Sequence, residues 1–155
     1  MDDTSELHWR YLKDNLDHSR HHETLRATSS NIILVVAGVA FTVVGYDKCI
    51  AATDLPILMF VFALGIFGAL FAAKQTERAS LHYQRARSLR DALDKGPHAP
   101  DFKGLKDAAD AKHNPKYPWL SARELRAFWI ALHLSVSLLS GALIVVWSYM
   151  SVCCK

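Results

Sequence analysis

LPILMFVFALGIFGALFAA, residues 55–73, contains no charged side chain and, wound as a helix, shows no polar stripe on any face. A helix rises 1.5 Å per residue and a bilayer core of about 30 Å takes about 20 apolar residues, so the segment is long enough to cross. A helix buried in a soluble bundle would normally keep a polar stripe toward water. The membrane reading is therefore preferred to the soluble one. Working outward, residues 27–46 are equally free of charge, and residues 127–154 hold no Lys, Arg, Asp or Glu and a single histidine, His133.

Three such runs in 155 residues leave room for one domain. The expected fold is an all-α integral membrane protein with three transmembrane helices and long cytoplasmic helical extensions of the first two. Its segments are a cytoplasmic helix (1–26), a first span (27–46), an outer turn (47–54), a second span (55–73) and a cytoplasmic helix (74–95). A connector (96–120), the cytoplasmic start of the third helix (121–126), a third span (127–150) and an outer tail (151–155) follow. The first 26 residues are polar and charged, so no cleavable signal is expected and the first span is retained.

Orientation follows from Lys and Arg. Residues 1–26 carry four and residues 74–126 carry twelve, whereas the 47–54 turn holds only Lys48 and the tail only Lys155. The positive-inside rule places the N-terminus and the 74–126 segment in the cytoplasm and the C-terminus outside, in the periplasm if the membrane is the bacterial inner one. Tyr117, Trp119, Phe128 and Trp129 mark the inner interface of the third span, and Trp147 and Tyr149 the outer one. Cys49, Cys153 and Cys154 then share the outer rim, where a disulfide within or between subunits and free thiols are both open.

Helix punctuation is consistent with this layout. Asp3 with Glu6, and Ser121 with Glu124, have capping-box spacing, Asp54 is placed to cap the second span, and Pro56 sits harmlessly in its first turn. The second span is expected to run on as KQTERASLHYQRARSLRDALDK to Gly96-Pro97, one helix of about 40 residues and about 60 Å. A short helix near 103–112 is expected in the connector, before the two prolines of NPKYPW. The two inner extensions should lie antiparallel. Arg26, His22 and His18 form one ladder and Lys74, Arg78, His82 and Arg85 the other, at matching depths.

Those ladders read either as topology anchors that meet anionic lipid or as a site for a nucleotide or single-stranded oligonucleotide, with Trp9, Tyr11 and Tyr83 near for stacking. His18, His21 and His22 come without a cysteine and fall short of a four-ligand zinc pattern, so no metal is expected. No cofactor is expected either, since haem would need paired histidines inside the spans and only His133 lies in one. Gly65/Ala69, Gly68/Ala72 and Ala69/Ala73 are small pairs suited to close helix contact. Asn31, Gly38 and Thr42 on the first span, and His133, Ser137 and Ser140 with Ile144 on the third, read as helix–helix glue or as a pore lining with an apolar constriction. Ser148 and Ser151 lie near the same face of the third span. GxGxxG, P-loop, HExxH, GxSxG and CxxC patterns are all missing, so an enzyme is not expected.

HHETLRATSSNIILVVAG, GALFAAKQTERASLHYQRAR and the third-span opening SARELRAFWIALHLS together resemble the SLATT-type membrane effectors of bacterial anti-phage defence. With its third span the chain is similar to the channel effectors of the Hailong system, whereas the two-span SLATT pattern lacks that helix. The resemblance implies a tetrameric channel and a nucleotidyltransferase partner that makes oligodeoxyadenylate. The expected function is thus an oligomeric pore-forming effector controlled at its cytoplasmic basic helices. The alternative is a non-conducting membrane anchor or scaffold that docks a cytoplasmic partner.

Overall fold

A computed structural model describes residues 3–46, 50–95, 101–118 and 124–153. Among these the chain is helical apart from short turns, and no strand occurs. The helices are α1 (Asp3–Gly45), α2 (Leu55–Leu93), α3 (Phe102–His113) and α4 (Leu125–Cys153), with single 3-10 turns at Ala52–Asp54 and Asn114–Lys116.

α1 runs 43 residues without a break and contains no proline. α2 runs 39, with Pro56 in its first turn, where the missing N–H has no intrahelical partner to lose. Asp54 precedes α2 as expected, but its carboxylate reaches back: the Ala51 N–H donates to Asp54 Oδ2 at 2.8 Å. α3 is capped twice. Asp101 Oδ1 accepts from the Gly104 N–H at 2.7 Å, and the Asp94 carboxylate accepts from the Phe102 and Lys103 N–H groups at 3.1 Å each. Asp94 thereby ties the end of α2 to the start of α3. Ser121, the expected cap of the last helix, lies outside the described residues, as do Trp119, Lys48 and Gly96-Pro97.

Three helices, over Glu6–Gly45, Ala52–Leu93 and Leu125–Met150, are long and apolar enough to cross a membrane. Contacts divide the chain into two compact units. One comprises Met1–Thr24 with Gln75–Leu125, the other Leu25–Lys74 with Arg126–Lys155. The expected inner ends of the first two spans, residues 27 and 73, fall beside these divisions.

In the second, apolar unit, Ala37 of α1, Val61 of α2 and Val136 of α4 form the centre, flanked by Leu34, Ala40 and Phe41. Ala69, Ala72, Ser30, Ser137 and Ser140 share the interior with Ile33, Val44 and Leu58, while other large apolar side chains point out: Val35, Leu70 and Leu138 are 66%, 67% and 72% exposed. A water-soluble domain does not normally expose so broad an apolar surface. In the first, hairpin unit, the residues buried between α1 and α2 are Leu12, Asn15 and Ser19 on one helix and Ala79 and Ala86 on the other. Their spacings of three, four and seven residues are those of one helical face.

Candidate ligand layer and polar seam

Within the hairpin unit the pairings run antiparallel, since partners rise in number on α2 as they fall on α1. Ser19 Oγ donates to the Ala79 carbonyl at 3.1 Å, His22 Nδ1 meets Gln75 Oε1 at 2.7 Å, and His82 Nδ1 meets Asn15 Oδ1 at 3.1 Å. Asn15 spends its amide hydrogens on the Tyr11 carbonyl, with Nδ2 donating at 2.8 Å, so its oxygen is left to accept from the His82 ring. That assigns the His82 proton to Nδ1.

The alanines at 79 and 86 bracket His82 and let the helices approach, and the ring fills the space between. It stacks on His18 at 5.0 Å between centroids and on His22 at 5.6 Å, with interplanar angles of 25° and 20°. His21 tilts against His22 at 5.9 Å. Burial holds the His82 pKa below the usual histidine value, and His18, Arg85, His22 and Arg78 push it further the same way. At neutral pH the ring is accordingly uncharged.

The two sequence ladders therefore meet at His18, His22 and His82, with Arg78 and Arg85 exposed along α2 beside them. Arg26 departs from its expected place. It belongs to the apolar unit, is only 6% exposed, and its guanidinium stands 5.5 Å from the Trp129 ring centroid. A guanidinium on an indole face gains a cation–π contact there, which draws it away from the surface. Lys74, exposed, also falls in the apolar unit.

Comparison with protein-family models, curated proteins and solved structures finds no match.

The apolar unit holds a second polar constellation. Ser30 Oγ and His133 Nε2 are 2.9 Å apart, joining α1 to α4, and both side chains are about 1% exposed. Ser137 Oγ donates to the Phe62 carbonyl at 2.8 Å and Ser140 Oγ to the Leu58 carbonyl at 2.6 Å, joining α4 to α2. Gly65 and Gly68 make this approach close enough. A Cβ on Gly65 would fall 2.8 Å from the His133 carbonyl and 2.9 Å from the Ser137 nitrogen, and one on Gly68 would collide with His133 Nδ1. The small pairs Gly65/Ala69 and Gly68/Ala72 thus lie on a packed face, with Ala69 and Ala72 buried as well. His133 Nδ1 and Trp129 Nε1, one turn apart on α4, are buried with no hydrogen-bond partner.

The residues read as one pore lining therefore separate. His133, Ser137 and Ser140 are engaged inside the chain, Ile144 is half-buried, and Asn31, Gly38 and Thr42 lie exposed along α1. Gly38 has nothing within 4 Å of an added Cβ, and Thr42 Oγ1 donates to the Gly38 carbonyl at 2.8 Å. Cys49 and Cys154, and the side chain of Cys153, lie outside the described residues, and the expected outer-rim cysteine cluster lies there with them. Among the described residues no three His, Cys, Asp or Glu converge as metal ligands.

Sequence reading missed Asn15, Ser19, Gln75 and Ser30. Their signal was present as polar residues at helical spacing from the histidines and from Arg26, but spacing alone does not name the partner helix.

Proposed function

We propose that the chain is a three-span membrane protein that assembles with copies of itself into an ion-conducting channel. The N-terminus, the hairpin unit and its basic residues are cytoplasmic, and the C-terminus is outside. We further propose that a nucleotide or single-stranded oligonucleotide, oligodeoxyadenylate by resemblance, controls conduction at the layer formed by His18, His22, His82, Arg78 and Arg85. Channel opening would depolarise the bacterial inner membrane, the action of an anti-phage effector partnered with a nucleotidyltransferase.

The observation that carries the membrane part is the broad apolar surface of the apolar unit, with Leu70 and Leu138 among its exposed side chains, around an interior that holds Ser30, His133, Ser137 and Ser140. Lipid solvates such a surface, while helix contact in lipid depends on small residues and interhelical hydrogen bonds of the kind made by Ser137 and Ser140. For conduction the support is the exposed stripe Asn31, Val35, Gly38 and Thr42, polar at both ends, which points away from the chain's own buried α1 residues Ile33, Ala37 and Val44. An axis of symmetry beside that stripe gives a polar lining.

A second reading has its own support. The hydroxyls of Ser137 and Ser140 are satisfied inside one chain, which is what a non-conducting anchor or scaffold needs from them.

Topology is tested with reporters. A fusion after Lys155 is expected to report the outside, and an insertion near Gly96 the cytoplasm, following the concentration of Lys and Arg in residues 1–26 and 74–126. Both reporters on one side would remove a span and contradict the arrangement.

A further inference from the structure

We propose that the imidazoles of His18, His22 and His82 make the polyanion layer proton-linked, so that a phosphodiester ligand binds together with protons and binds more tightly as pH falls. This inference rests on the ligand reading given above and adds its regulation.

Three imidazoles in one stack are an unusual choice for a seam that alanine and leucine could fill. In the free protein two of the rings make specific contacts. His82 Nδ1–H donates to Asn15 Oδ1, and His22 Nδ1 faces Gln75 Oε1. The groups that surround His82 are Asn15, His18 and His22 on α1 and Arg78 and Arg85 on its own helix. None of these is an acid. Asp14 stands 3.6 Å from His18 Nε2, with both side chains more than half exposed, while Asp17 is paired with Arg20 and Glu77 with Arg78. A proton added to the His82 ring is therefore opposed by burial and by the field of two further imidazoles and two guanidiniums, which is why the His82 pKa lies low.

An anionic phosphodiester seated on Arg78 and Arg85 brings negative charge beside the His82 ring. It attracts each imidazolium it approaches and so raises the histidine pKa values in the bound state above those in the free state. Linkage then requires the reverse effect: if the ligand favours the protonated rings, protonation favours the ligand. The gain develops as pH falls through the bound-state pKa values. It levels off below the free-state ones, and for His82 that lower limit lies under the ordinary histidine value. No covalent step is involved; each proton comes from solvent and returns on release.

The test uses the full chain in lipid nanodiscs and an oligodeoxyadenylate that lacks a terminal phosphate and carries a pH-insensitive dye. Phosphodiesters do not titrate near neutrality, unlike a phosphate monoester with its second pKa of about 6, so any pH dependence belongs to the protein. Affinity is measured from pH 8 to pH 6 at constant ionic strength. Proton uptake is measured by calorimetry in two buffers of different ionisation enthalpy. Affinity is expected to tighten about tenfold per pH unit for each proton taken up. The His22→Gln/His82→Gln variant should flatten that slope, and His18→Gln, at a ring more than half exposed, should reduce it. Arg78→Gln should weaken binding at every pH and leave the slope largely in place. Binding that is independent of pH in the native protein, or a slope unchanged by the histidine variants, would overturn the proton linkage and leave the polyanion reading standing. No binding at any pH would overturn both.

Discussion

Replacing Gly65 with alanine is expected to loosen the contact between α2 and α4 and to destabilise the apolar unit by about 1–3 kcal/mol, as overpacking does elsewhere. The added methyl would meet the His133 carbonyl and the Ser137 nitrogen at under 3 Å, and these backbone atoms move only with the whole of α4. Separation of the helices also lengthens the hydrogen bonds from Ser137 to Phe62 and from Ser140 to Leu58, so the loss spreads along the seam. Leucine at the same position should cost more still. Gly38→Ala is the matched control, because open space surrounds that position, and alanine gains about 0.5–1 kcal/mol over glycine in a helix. The denaturation midpoint of the purified protein in detergent reads both. Equal midpoints for the two variants would mean that α2 and α4 do not pack through Gly65.

The second large effect lies in the hairpin unit. Arg78→Gln combined with Arg85→Gln should lower oligonucleotide affinity by tenfold or more at low salt. It should also reduce the slope of log affinity against log salt by about 2, one for each lost phosphate contact. Both guanidiniums are exposed beside the histidine stack, so their removal leaves the buried seam of Leu12, Ser19, Ala79 and Ala86 untouched. Lys112→Ala with Lys116→Ala removes the same charge from exposed positions in α3 and the turn after it and should change little. If the two double variants behave alike, the charge near α2 is a membrane anchor and the scaffold reading gains.

Charge-free runs were enough to locate the three long apolar helices, because no other soluble or loop pattern sustains 18 or more apolar residues. The meeting of His18 and His22 with His82 could also be reached from counting, since two antiparallel helices that start at one boundary climb 1.5 Å per residue in step. What counting cannot supply is rotation about the helix axis. Arg26 fits an exposed ladder by spacing, yet its phase turns it inward onto Trp129. His133, Ser137 and Ser140 share a face by spacing, but a serine hydroxyl is equally satisfied by a neighbouring carbonyl or by water in a pore. Only coordinates reveal that Phe62 and Leu58 accept from them. The Asp94 cap was illegible for another reason: it accepts from N–H groups eight and nine residues on, a partner that helical spacing does not name.

The central claim is a channel under the control of an anionic ligand, and conductance across a planar bilayer tests it most directly. Purified full-length protein is reconstituted, and current is recorded before and after oligodeoxyadenylate is added to the side bearing the hairpin unit. The account predicts discrete conductance steps whose open probability changes with the oligonucleotide, and a response weakened in the Arg78→Gln/Arg85→Gln variant. Silent bilayers with protein demonstrably inserted, in the presence and absence of oligonucleotide alike, would contradict it.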